Sequence, residues 1–283
     1  VIGFSEKKLT LFIGKMAKRL TSKENLIIKR VKQLEAKKYR DRFGQFVIEG
    51  PVWVRESLSE SIETDFVIFS DSYEQYGGRE AEELIEAIEE KGTDLYCIED
   101  GLYGYISGTQ TPQGIMAVVQ RPVWSEDILR KDKANVLVLD RVSDPGNLGT
   151  MLRTAEAAGF EAVIALKGTT DPYSGKVSRA SAGSLMRMPI FFVEDGTALK
   201  ELMADCGKRT LCTDPLSDND YFDIEIAENT ALIIGNEAGG VCPEIFEKAD
   251  LTCGIPMVGR TESLNAAVAA AIIMYESVRQ RRK

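Results

Sequence analysis

Apolar residues recur at helical spacing over residues 24–38, where Leu26, Ile27, Val31 and Leu34 share a face, Ser22 is placed to cap, and lysines occupy the other face. After the break at Arg42-Phe43-Gly44 the pattern predicts a strand over 45–49, a helix over 52–60, a strand over 66–70, a helix over 80–91 and a strand over 94–98. Residues 109–113, with Pro112, lead into an apolar run over 115–119 and then Arg121-Pro122, which reads as the strand and linker that close a small α/β domain. A second alternation begins at Asn135. Strand-like runs cover 136–140, 162–166, 190–193, 210–213, 231–235 and 251–256, with helix-like segments between most of them. Strands separated by helices predict a mostly parallel sheet covered on both faces. Ligands of such folds sit beyond the carboxyl ends of the strands, here the loops after Asp140, Ile234 and Ile255.

A chain of 283 residues fits two domains. The expected division is an extension over 1–20, a first domain over 21–120, a linker over 121–132 and a second domain over 133–283. The longest apolar run, 266–275, is too short to span a bilayer. Lysines interrupt the apolar patches near residues 9–14 and no small-residue cleavage site follows, so no signal peptide is expected. The chain has no histidine, which removes Ser-His-Asp and Cys-His catalysis and histidine-zinc sites. Five cysteines without a CxxC read as reduced core residues of a cytoplasmic protein.

Charge is distributed unevenly. Residues 1–42 carry a net charge of +9 and the remainder −18. Lys23, Lys29, Arg30, Lys32, Lys37, Lys38, Arg40 and Arg42 can form a phosphate-binding face for RNA, or simply the solvated side of an amphipathic helix.

Three segments carry candidate chemistry. In 140–160, Asp144-Pro145-Gly146 reads as a turn and Asn147 as the N-cap of a helix with apolar Leu148, Leu152 and Ala155. Arg153 projects from the second turn of this helix, with the small Gly149 and Thr150 leaving room for a ligand beside it. In 232–241, a buried strand runs into a glycine-rich turn (Gly235, Gly239, Gly240) that holds Glu237; the spacing fits neither a dinucleotide nor a P-loop motif. In 254–276, a strand ends at Ile255-Pro256-Met257, a loop follows, and an alanine-rich helix is expected from Ser263 to about Val278. Ser263 and Asn265 are polar groups that open it.

In this order and spacing, NLGTMLRTAEAAGF, KVSRASAGSLMRMPI, GNEAGG and IPMVGRTESLNAAVAAAI resemble the motifs of the SpoU (TrmH) group of SPOUT RNA 2′-O-methyltransferases. KRVKQLEAKKYRDRFGQFVIEG and TPQGIMAVV resemble the substrate-binding domain that many members carry in front. The resemblance implies a trefoil-knotted α/β methyltransferase domain preceded by a small α/β RNA-binding domain, and a homodimer packed through the knotted domains. It implies S-adenosylmethionine as methyl donor and no metal. Gly235, Ile255, Met257 and Leu264 would bind the donor; Arg153, Asn147, Glu237, Ser263 and Asn265 would be catalytic. Lys29, Arg30, Lys37, Lys38, Arg40 and Arg42 would contact RNA. A guanidinium stays protonated, so Arg153 is expected to hold a phosphate and stabilise developing alkoxide charge. Large-subunit ribosomal RNA is the expected substrate; tRNA, or a non-catalytic RNA-binding module on the same fold, are the alternatives.

Overall fold

The computed structural model describes residues 17–58 and 62–282. The chain divides into two compact units, one ending at Arg121 and the other beginning at Pro122.

The first unit is a five-stranded sheet in the order β1-β4-β3-β5-β2. Its strands are β1 (Lys18–Leu20), β2 (Gln45–Glu49), β3 (Thr64–Ser70), β4 (Asp94–Ile98) and β5 (Ile115–Gln120). β5 runs antiparallel to both β2 and β3, while β1 and β3 flank β4 in parallel. Lys18–Leu20, expected in the extension, therefore completes a sheet edge beside Tyr96–Ile98. The rest of that extension, residues 1–16 with the patches weighed as a signal peptide, lies outside the described residues.

The helix expected over 24–38 is two helices, α1 (Leu26–Gln33) and α2 (Lys37–Phe43). The Asn25 side chain caps α1 by accepting from Ile27 N, whereas the Ser22 side chain accepts from Glu24 N just outside the helix. Periodicity hid the break because the apolar residues that carry it, up to buried Leu34, all precede it. Arg40 is the cause. Its guanidinium folds back and donates to the carbonyls of Leu34 (2.6 Å) and Glu35 (2.7 Å), satisfying acceptors that a continued helix would have paired. At 4% exposure Arg40 is part of the interior and not of an RNA-facing surface, which corrects the sequence expectation.

The remaining helices of this unit are α3 (Pro51–Ser57), α4 (Asp71–Tyr76), α5 (Gly78–Glu90) and α6 (Asp100–Ile106). Neither α4 nor α6 is legible in the periodicity. α4 is short and continues almost directly into α5; α6 carries Gly101 and Gly104, whose low helix propensity is outweighed by burial of Leu102, Tyr103 and Ile106 against α1 and the sheet.

The second unit holds a six-stranded parallel sheet in the order β11-β9-β10-β6-β7-β8. The strands are β6 (Val136–Leu139), β7 (Ala162–Leu166), β8 (Ile190–Val193), β9 (Arg209–Thr213), β10 (Thr230–Ile234) and β11 (Leu251–Cys253). Helices α7 (Pro145–Ala157), α8 (Gly175–Ala180), α9 (Gly196–Asp205), α10 (Pro243–Phe246) and α11 (Ala266–Arg281) connect or follow them. Central β6 is wholly buried, as continuous apolar runs in parallel sheets require. Leu129, within the expected linker, is buried in this core. Gly149 faces α8: a Cβ there would lie 2.3 Å from that of Ala180, so this glycine serves helix packing and not ligand space beside Arg153. No helix among the described residues is long and apolar enough to cross a membrane.

Replacing Arg40 with Ala removes both donors and leaves two carbonyls short of a partner. The first unit should lose about 1–3 kcal/mol by chemical denaturation. Unchanged stability with weakened RNA binding would instead restore Arg40 to the surface role.

Candidate active site

At the carboxyl ends of β9, β10 and β11 lies a cavity of about 390 Å³, a volume within the range of small-molecule sites. Gly235, Ile255, Met257 and Leu264 line it, as do Ser263 and Glu237. Ile234, Ile273 and Leu216 add apolar wall, and Asp214 adds a carboxylate. Sequence reasoning missed the contribution of the loop after β9, for which Asp214-Pro215 was the available turn signal.

The loop after β10 is built by close backbone approach. Asn236 and Gly240 exchange N–H···O bonds of 3.0 and 2.9 Å, and the Asn236 side chain accepts from Ala238 N and Gly239 N while donating to Arg141 O. A Cβ at Gly235 would stand 2.1 Å from the carbonyl carbon of Gly240, so only glycine lets the turn fold back on the strand end. Gly240 supplies the left-handed backbone, with φ 64°. Gly239 does neither, contrary to expectation: its φ is not positive and its Cβ position is nearly open. Buried Asp140, at the end of β6, ties the same loop by accepting from Cys242 N at 2.6 Å and pairing with Arg141.

Glu237 projects from this turn to the loop after β6. Its carboxylate accepts from Ser143 N (3.1 Å), Ser143 Oγ (2.9 Å), Asp144 N (3.1 Å) and Asn147 Nδ2 (3.0 Å). Burial pushes the carboxyl pKa up, but the donors from Asn147, Ser143 and Asp144 outweigh it and hold the group down at about 2. A carboxylate so supplied with donors is an anchor and a poor base.

Asn147 does not cap α7, as the sequence suggested. Asp144 does, with its side chain accepting from Asn147 N at 2.7 Å and Pro145 in the first turn. This frees the Asn147 amide to donate to Glu237 and accept from Asn265 Nδ2 at 2.9 Å. Asn265 in turn caps α11 through Ala267 N and Val268 N, so that helix begins at Ala266 and not at Ser263. Glu237, Asn147 and Asn265 thus form one hydrogen-bonded line from the glycine turn to the N-terminus of α11.

Ser263 is exposed at the cavity and forms no side-chain hydrogen bond among the described residues. Arg153 stands apart. It is exposed on α7 without a polar partner among the described residues, and it does not line the cavity. It lies six positions after Asn147, which places it about 120° round the helix and about 9 Å along it. Cys253, on the cavity wall, is 1% exposed, and burial pushes its thiol up to about 12.

In the first unit, Lys29, Lys37, Lys38 and Arg42 are exposed. Lys29 pairs with Glu24 and Lys37 with Asp41. Arg30 is half-buried, donating to Gln45 Oε1 at 2.7 Å beneath the Phe43 ring.

The sequence and the fold match known proteins. Residues 134–275 match the SpoU rRNA Methylase family and residues 25–117 an MRM3-like substrate binding domain. The 23S rRNA (guanosine(2553)-2′-O)-methyltransferase RlmP of Bacillus subtilis is 36% identical over 91% of this chain and 98% of its own. The 23S rRNA (uridine(2479)-2′-O)-methyltransferase of Streptomyces viridochromogenes is 33% identical over 94% of this chain and 93% of its own. Among solved structures, the AdoMet-bound rRNA methyltransferase from Sinorhizobium meliloti superposes with a TM-score of 0.81 at 29% identity, covering 93% of this chain and 98% of that one. The chain therefore belongs to the SpoU rRNA methylase family, with an MRM3-like substrate-binding domain ahead of its methylase domain.

Proposed function

We propose that this protein is a cytoplasmic enzyme that methylates a ribose 2′-hydroxyl of 23S ribosomal RNA, with S-adenosylmethionine in the cavity beyond β9, β10 and β11. The observation that carries the reading is the cavity itself, bounded by Gly235, Ile255, Met257 and Leu264 and joined to the Glu237–Asn147–Asn265 line. Its apolar walls of Leu216, Ile234, Leu264 and Ile273, with polar Asp214 and Ser263 beside them, suit a flat heteroaromatic group with polar rims. When bound, the donor supplies an electrophilic methyl group on a sulfonium. The reading includes a trefoil knot. In its favour, Gly254 is clasped by the loop after β9, donating to Asn219 O and accepting from Tyr221 N.

The chain's own residues then divide the work. Glu237 fixes the loop after β6 and stays ionised; Asn147 and Asn265 hold the start of α11, and with it Ser263 and Leu264, against the cavity. The Ser263 hydroxyl is available to orient the target. Arg153, without a polar partner among the described residues, serves as a bidentate phosphate clamp that stabilises negative charge developing on the attacking oxygen. Its position on α7 favours service to the cavity of a second copy. An exposed apolar stripe on α11, Val268 and Tyr275 flanking half-buried Ile272, supplies a matching homodimer face.

Labelled S-adenosylmethionine incubated with unmodified 23S RNA should place label in a 2′-O-methylnucleoside. Label in a base, or in tRNA alone, would overturn the assignment.

Two variants, Arg153→Ala and Asn265→Ala, should each be nearly inactive. If Arg153 acts across a dimer, mixing and reassociating them should restore about a quarter of wild-type turnover, because half the dimers then hold one intact site. No recovery would place Arg153 in its own chain's site.

Glu237 contributes stability that is fully present above its ordinary pKa of 4.5 and is lost as pH falls through about 2. The melting-temperature gap between the wild type and Glu237→Gln should be constant above pH 4.5 and close between there and pH 2. A gap that is independent of pH would contradict the anchoring role.

A further inference from the structure

The first unit carries a surface that neither charge nor family membership describes. Tyr105, on α6, is exposed, with Lys23 Nζ 4.6 Å and Lys32 Nζ 5.0 Å from its ring centroid. A groove of about 470 Å³ runs from this ring to Tyr39 on α2 and is bordered by Lys29. Beyond it Tyr39 stacks on Phe43, with centroids 6.0 Å apart and planes at 13°. Lys38 lies 4.8 Å from the Tyr39 ring and Arg42 5.6 Å from the Phe43 ring. Rings and cations alternate along one continuous face built from α1, α2 and α6.

We propose that this face is a track for unpaired RNA, in which bases stack on Tyr105 and Tyr39 and the intervening phosphates are held by Lys23, Lys29 and Lys32. The inference rests on the RNA-methyltransferase reading and deepens it by naming the form of RNA that the first unit captures. Phosphate contact alone would need lysines but no rings. Stacking is open only to bases that are splayed out, because those of an A-form duplex are already stacked within the helix. The cations now over the rings do not block such binding. An exposed cation–π contact is weaker than base–aromatic stacking, and a flexible lysine displaced from a ring finds a phosphate nearby. The pairs of Lys29 with Glu24 and Lys32 with Glu35 are solvent-exposed and weak enough to exchange for phosphate.

The test measures binding of the full chain to a short unstructured oligouridine RNA and to an RNA duplex of equal length, each across a salt series. Tyr105→Leu and Tyr39→Leu should each weaken oligouridine binding about tenfold, leave its salt slope unchanged and leave duplex binding unaltered. Lys32→Gln should lower the salt slope by about one. Tyr105 and Tyr39 lie outside the buried core, and an unchanged melting temperature verifies that the variants fold. Oligouridine affinity that survives both tyrosine substitutions, or an equal loss for the duplex, overturns the track. Ring-dependent oligouridine binding without methyl transfer to 23S RNA would overturn the enzymatic reading and leave the track standing. Methyl transfer with ring-independent binding would do the reverse.

Discussion

The carboxylate of Glu237 is the point at which the second unit's loops become one site. Its acceptors take donors from Ser143, Asp144 and Asn147, so the turn after β10 cannot move without carrying the start of α7. Asn147 passes the constraint to Asn265, and Asn265 fixes where α11 begins. Three segments far apart in sequence are thereby held with few polar side chains. The arrangement depends in turn on Gly235, because a side chain there would force the turn off the strand end and move Glu237 away from its donors.

Much of this was legible from residue order, and the rest was lost for identifiable reasons. Parallel strands such as Val136–Leu139 and Ala162–Leu166 stand where apolar runs predicted them, since burial on both faces leaves an uninterrupted signature. Helix starts were less legible. Asn147 looked like a cap by residue type, but Asp144 ahead of Pro145 is the stronger N-terminal signal, and the helix expected from Ser263 starts after Asn265, which caps it. Arg40 was indistinguishable from its basic neighbours because sequence shows charge and not direction, and only the fold reveals that its guanidinium turns inward. The role of Tyr105 was invisible for a related reason: it is far in sequence from the lysines it meets.

The two units use polar groups in opposite ways. In the second, the donors and acceptors of Glu237, Asn147 and Asn265 are matched to each other. In the first, many cations are exposed and paired only with surface carboxylates, an arrangement that exchanges partners at little cost. A preorganised cavity suits a ligand of fixed shape, whereas an exchangeable surface suits a long, flexible polyanion.

Cys253 sits on the wall of the cavity proposed to hold an electrophilic methyl group, where a thiolate would be a rival nucleophile. Burial raises the thiol above its ordinary range and so disfavours the thiolate at neutral pH. Desolvation of the strand end thus does more than shape the pocket. It disfavours the nucleophilic form of a soft sulfur beside the site proposed for an alkylating donor.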